Sequence, residues 1–512
     1  MQKKRIGFLA RVLCVVLCLF MAMAMFAGCK KSGGDADSSK NDSSQTTSYS
    51  AIEQIDQITV DPHLPETADL QDFELKVGLP AGAEAVLIPK EGESSEGDLM
   101  LKTLAGIQKK YNCKISVVTM SAWDEVMAEI LAGGLPAHVL MPTVHQSGQF
   151  ISARLVADYM KADINKYIHM DEPWWNSTMA YASNVKGKVY AGACNIQSMA
   201  DMNFVVMFNK RILKEIGASE EEIYSHYTKK TWTWDVFRDY AKRATKDLDN
   251  DGVMTVDDQW GWTSPEYDTI AALLTSANCD DIITKDGKEP TFNYNTPFAI
   301  STLTKINDMF VMDMTRCPDS EKKTGGAWNF NVIFLAGRSL FEIYHLETIA
   351  GQNVRSMDDE IGIVPIPLGP SQDGGWQKQY RSRVDHNFRL CLIPATNLEL
   401  SQTALVLEAI SFNFWKIINK KTQIYGDMYL YDDTAAEVCN TILNYSEFEI
   451  SQFIGSVNGN AYNNNVRARI LAAGITPGYD VAGEFASVAD LAQQIIDDYF
   501  ADKQTEVSSA AQ

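Results

Sequence analysis

The chain has 512 residues, 46% hydrophobic and 22% charged, with a formal charge of −21. That length accommodates one large core or two packed lobes. Its acidity argues against nucleic acid or anionic lipid as a direct partner, because both need a cationic surface.

Lys3, Lys4, Arg5 and Arg11 precede an apolar run from Val12 to Phe26, and Ala27-Gly28 lead into Cys29. This is the pattern of a secretory signal, too short and wrongly flanked for a spanning helix. Without those four cations the mature chain carries −25. A cysteine after two small residues resembles the bacterial lipobox, with Phe26 where leucine is usual. The resemblance implies diacylation of Cys29, in the manner of a palmitate-bearing lipoprotein, on the extracellular face of the cell membrane. Residues 1–28 are expected to be the signal peptide and residues 29–72 a disordered tether and lead-in. Ser32 to Ser50 is almost wholly polar and buries too little surface to offset its ordering entropy. No second apolar run approaches the length of a membrane span. Six cysteines follow Cys29 without CxxC or metal-finger spacing; buried thiols acting as small hydrophobes are expected, although the compartment permits disulfides.

From Phe73 the pattern turns globular. Phe73–Leu79 alternates as a strand should, and Leu99–Tyr111 carries a helical stripe. Cys113–Thr119 predicts a second strand, Ser121 a helix cap with Asp124 completing a box-like pair, and Gly133-Gly134 the end of that helix. His138–Met141 predicts a third strand. Strand, helix, strand, helix, strand at this spacing predicts right-handed crossovers and a parallel sheet. Further strands are predicted at Lys188–Ala191, Asn203–Phe208, Ser339–Ile343, Ile361–Pro365 and Phe388–Ile393. Helices are predicted at Lys210–Ile216, after a Thr233 cap, over Ser401–Asn419 and through most of the last third.

Several segments resemble a known family when taken in order. Val205-Val-Met-Phe-Asn-Lys through Gly217 is similar to an aromatic-Asn-Lys strand–helix joint, and Thr233-Trp-Asp-Val-Phe237 to a Thr-Trp-Asp helix start. Phe334-Leu-Ala-Gly-Arg-Ser-Leu340 resembles the Phe-x-x-Gly-x-Ala-Met element, with Ser339-Leu340 in place of Ala-Met. Ile361–Pro367 resembles a strand ending in Pro-x-Pro. Together they resemble the extracellular solute-binding proteins of the carbohydrate-type (family 1) group, lipoprotein receptors of ABC importers. The resemblance implies an α/β, periplasmic-binding-protein-like fold of type II, with ligand in a cleft between two lobes. It implies lobe 1 at 73–193 plus 389–432 and lobe 2 at 194–388 plus 433–505. The lobes are linked by crossings near Gly192–Asn203, near His386–Pro394 and after Tyr431. It also implies a carbohydrate ligand, an ABC permease as partner, and a monomer with no required cofactor.

Sugar sites pair aromatic faces with polar side chains. The candidate ligand contacts are Trp123, Thr143, Asn195, Gln197, Trp260, Trp262, Tyr344, His345 and Arg381, with Asp385, His386 and Asn387 entering the second crossing. Trp234, Phe414 and Trp415 sit on helical stripes and are expected in the core. Asp247, Asp249, Asp251, Val253, Thr255 and Asp258 match the spacing of a calcium loop, with Gly252 at the sharp turn. A structural Ca2+ and a solvated acidic turn both fit that spacing. No Gly-x-Ser-x-Gly, His-Glu-x-x-His or Walker-type loop is present, so no enzyme is expected. A secreted, membrane-anchored glycan hydrolase or lyase is the alternative, since carboxylates are plentiful.

Overall fold

The computed structural model describes residues 61–284, 289–425, 429–430 and 432–503. The expected signal peptide, Cys29, the tether before residue 61 and Tyr431 lie outside the described residues. No helix among the described residues is long and apolar enough to cross a membrane.

The first layer is built by β1 (Phe73–Pro80), α1 (Ser95–Tyr111), β2 (Cys113–Met120), α2 (Trp123–Leu131), β3 (Val139–Leu140) and α3 (Val144–Ser152). β1 lies between β2 and β3 and runs parallel to both, as the strand–helix–strand spacing requires. Alternate residues Leu75, Val77 and Leu79 are fully buried. Ser94 caps α1 by accepting the Gly97 amide, and Asn112 closes it in the left-handed region at φ 47°. The expected Ser121 cap does not form. α2 begins one residue later than such a cap needs, with Ala122 at its N-cap and no side-chain bond.

Beyond β3 the sheet continues through single antiparallel bridges, Leu140 to Leu392, Thr143 to Arg389 and Gly192 to Cys391. Phe388–Ile393 is thus extended chain beside the sheet. This pairing brings Cys194 and Cys391 together in a disulfide across 197 residues of sequence, correcting the expectation of thiols at those two positions. The other four, Cys113, Cys279, Cys317 and Cys439, are buried thiols. The lead-in also differs from expectation. From Asp61 it packs on the first lobe, with Leu64 buried and the Leu70 amide donating to the Tyr111 carbonyl at 2.9 Å.

The second layer comprises β4 (Phe204–Asn209), α4 (Trp234–Ala244), β5 (Trp260–Thr263), α5 (Glu266–Ser276), α6 (Asn329–Leu335), β6 (Ser339–His345) and β7 (Ile361–Pro365). The sheet order is β7-β4-β6-β5, with β4 antiparallel to both neighbours and β6 parallel to β5. Thr233 caps α4, its side chain accepting the Val236 amide. α7 (Leu400–Ile424) then returns to pack on α1 and β1, and α8 (Asp433–Asn444) packs on β7. Trp234 and Phe414 are buried in these cores, as their stripes predict.

Segments 193–203 and 384–391 run between the two sheets, and Asn203 bridges Val384 where they meet the second. The layers also touch directly. Gly148 of α3 approaches the 450–454 helix so closely that a Cβ there would lie 1.7 Å from the Phe453 carbonyl oxygen, a contact only glycine permits.

Candidate functional site

In open α/β sheets, ligands lie beyond the strand ends. Here the ends of β5 and β6 meet the second crossing, and the chain places a line of charged and imidazole groups there. The His386 Nδ1 atom lies 3.5 Å from Asp268 Oδ1 and 3.8 Å from Asp385 Oδ2. His345 Nε2 lies 3.3 Å from the same Asp385 oxygen, and His345 Nδ1 lies 4.0 Å from Glu347. Arg383 is buried behind them, reaching Glu449 at 3.3 Å and Asp268 at 3.6 Å. Burial alone would raise the Asp385 carboxyl, yet His345, His386 and Arg383 hold it well below the ordinary carboxylate range. Asp268 shifts the same way, with burial opposed by His386 and Arg383.

Beyond Glu347 a cavity of about 410 Å³ opens between the layers, large enough for a small saccharide. α1 supplies Ser95 and Glu96, and its cap Ser94 adjoins them; the first crossing supplies Asp201. Glu347, Ala350 and Gly351 follow β6, while Ile417, Lys421, Tyr425 and Tyr429 come from α7 and the residues after it. Lys421 Nζ pairs with Asp201 at 2.6 Å and Glu96 at 3.2 Å. Although burial disfavours its charge, Asp201, Tyr425 and Glu96 raise its pKa, so it stays cationic at neutral pH. Tyr425 donates to Asp201 at 2.7 Å. The cavity therefore offers hydroxyl-binding charges beside two tyrosine rings.

A row of aromatic side chains leads toward this region from solvent. Exposed Trp328 stacks on Phe330 with centroids 6.3 Å apart, Phe330 meets Tyr344 at 5.1 Å, and Tyr344 stacks on His345 at 4.4 Å.

The expected contacts divide sharply against this geometry. His345 and Tyr344 lie in the polar line and the aromatic row. Trp262 is fully buried between Phe237 and Phe310, its indole donating to Thr315 at 3.1 Å. Trp260 is buried too, donating to the Thr255 carbonyl at 2.7 Å. Trp262 belongs to the large core and Trp260 to a small separate cluster with Cys317 and Ile333, because β5 is covered on each face. Asn195 is buried and donates to the Trp174 carbonyl and to Ser411. Thr143 caps α3 in a reciprocal pair with Gln146, Gln197 accepts the Arg389 amide, and Arg381 pairs with Glu447 at 3.1 Å. Trp123 opens α2 and packs its edge on Phe150 at 5.8 Å. None of these lines the cavity. Glu96, Asp201, Glu347, Lys421, Tyr425 and Tyr429 were not legible as site residues; only Glu347, two residues past His345, follows a strand whose end was expected at the cleft.

The acidic loop is a separate feature. Carboxylate oxygens of Asp247, Asp249 and Asp258 lie within 4.8 Å of one another. Asp247 accepts the amides of Asn250 and Gly252, Asp249 that of Asp251, and Asp251 that of Val253. Asp258 accepts the Leu248 and Thr255 amides and the Thr255 hydroxyl. The loop thus holds its shape through its own main chain, and the remaining acceptor capacity of these oxygens fits a hard cation such as calcium.

No protein-family model and no curated protein matches the sequence. Solved structures do resemble the fold. UspC of M. tuberculosis is 14% identical with a TM-score of 0.53, covering 83% of this chain and 100% of that one. T. maritima MalE3 with maltose bound is 14% identical with a TM-score of 0.51, covering 83% and 100%. The GacH receptor of Streptomyces glaucescens, solved unliganded and with acarbose, is 14% identical with a TM-score of 0.52, covering 84% and 99%. The chain has the two-lobed, periplasmic-binding-protein-like α/β fold of these proteins.

Proposed function

We propose that the protein is the substrate-binding component of an ABC importer, capturing an extracellular carbohydrate between its lobes. The observation that carries this reading is the 410 Å³ cavity, walled by both lobes and furnished with Glu96, Asp201, Glu347, Lys421, Tyr425 and Tyr429. Carboxylates and an ammonium suit sugar hydroxyls, and tyrosine rings suit the apolar faces of pyranoses. That two structures of the same fold hold maltose and acarbose supports a carbohydrate ligand. Ligand contacts made only when both walls are near shift an open–closed equilibrium toward closure. Cys29 anchors the receptor through lipid, the polar tether lets it reorient, and the closed form docks on a permease. A calcium ion in the Asp247–Asp258 loop is structural in this reading.

A thermal-shift and fluorescence screen over mono-, di- and oligosaccharides tests the proposal. A ligand at 100 times its dissociation constant stabilises by about 2.7 kcal/mol. Glu347→Gln and Tyr429→Ala are each expected to weaken the ligand found about tenfold, which corresponds to 1.4 kcal/mol. Turnover of the sugar would sink the receptor reading, as would absence of compaction by scattering with ligand saturating. Cys29→Ser is expected to release the protein into the medium with binding intact.

A further inference from the structure

The polar line holds more unmet bonding capacity than a sugar pocket explains. Asp268 Oδ1, His386 Nδ1, His345 Nε2 and one terminal nitrogen of Arg383 are buried without a hydrogen-bond partner among the described residues. His345 is 8% exposed and faces Asp385 within the cluster. Asp268 Oδ1, Asp385 Oδ2 and His386 Nδ1 lie within 4.8 Å of one another. The two His386 distances, 3.5 and 3.8 Å, are too long for hydrogen bonds. They lie near the edge of a tetrahedron built on metal–ligand bonds of about 2.0–2.2 Å, which is roughly 3.3–3.6 Å.

We infer that Asp268, Asp385 and His386 form a binding site for a divalent transition-metal ion, which pins the second crossing to α5 of the second lobe. Two carboxylates and an imidazole suit zinc or a neighbouring first-row ion. His345, against the Asp385 oxygen and stacked on Tyr344, is a positioning residue that orients this ligand from outside the coordination sphere. The site is independent of the carbohydrate reading, since it needs no sugar.

The test uses the full chain, stripped with chelator, and Zn2+ alone as probe, with Co2+ as a spectroscopic stand-in. One equivalent of Zn2+ is expected by calorimetry and elemental analysis, with visible bands of low-symmetry Co2+. His386→Ala and Asp385→Asn are expected to lower affinity by roughly 100-fold or more, and His345→Gln by about tenfold. Asp247→Asn in the acidic loop is expected to leave Zn2+ affinity unchanged. Circular dichroism identifies any variant that fails to fold, and the conservative His345→Gln and Asp268→Asn changes then carry the comparison. The inference is overturned if the wild-type chain binds no Zn2+. It is equally overturned if binding survives every cluster variant or vanishes with Asp247→Asn.

Discussion

The molecule gathers carboxylates into one small volume twice, and the two clusters differ in what their oxygens already do. In the Asp247–Asp258 loop, local main-chain amides occupy the carboxylates, and Asp249 and Asp251 are exposed. At the lobe junction, Asp268 of α5 meets Asp385 and His386 of the second crossing, among buried neighbours, and three ring or carboxylate atoms stay unpartnered among the described residues, His345 Nε2 included. Convergence of acids alone therefore says little. Unmet bonding capacity in a dry setting marks the place that takes a ligand.

Breaking the ion pairs of each region sharpens that contrast most. Arg383→Met leaves Asp268 and Glu449 without the buried cation they share, and a loss of about 3–5 kcal/mol is expected by chemical denaturation. Arg338→Met removes the partner of exposed Asp257 beside the loop, and about 1 kcal/mol or less is expected. Equal losses would erase the distinction.

Proton linkage is the next lever. Burial and the nearby Glu449 push the Asp281 carboxyl from 3.8 up to about 7. The folded state then binds a proton that the unfolded chain releases. Its contribution is fully present below pH 4 and is lost as pH rises toward 7. At 1.36 kcal/mol per unit the span is on the order of 4 kcal/mol at most. Asp281→Asn keeps an acceptor for the Tyr462 hydroxyl and is expected to lessen the fall in stability between pH 4 and 7, the part due to the likewise raised Asp280 remaining, read from melts at several pH values. An unchanged slope would reject this assignment.

The smallest effect belongs to the loop. Calcium titrated after chelation is expected to bind weakly, in the range of about 10⁻⁴–10⁻³ M typical of extracellular modules, and Asp247→Asn is expected to abolish the heat. No heat from the wild-type protein would mark the loop as a solvated turn.

What the sequence by itself determined is local. Alternation in Phe73–Leu79 and Cys113–Thr119, the Thr233 cap and the Ile361–Pro365 run all became elements within a residue or two of their predicted bounds. Their spacing predicted a parallel first sheet, because period and capping act within a few residues of chain. The site was far less legible. Trp262 and Asn195 have the right chemistry for a sugar contact, but packing turned both inward, where neighbours remote in sequence engage them. Lys421 met Asp201 and Glu96 only because α7 folds back onto α1. Cys194 found Cys391, and Asp268 found His386, through chain crossings that no periodicity records. Tertiary structure decided which polar groups lost water together, and desolvation combined with convergence gives both the cavity and the junction cluster their chemistry.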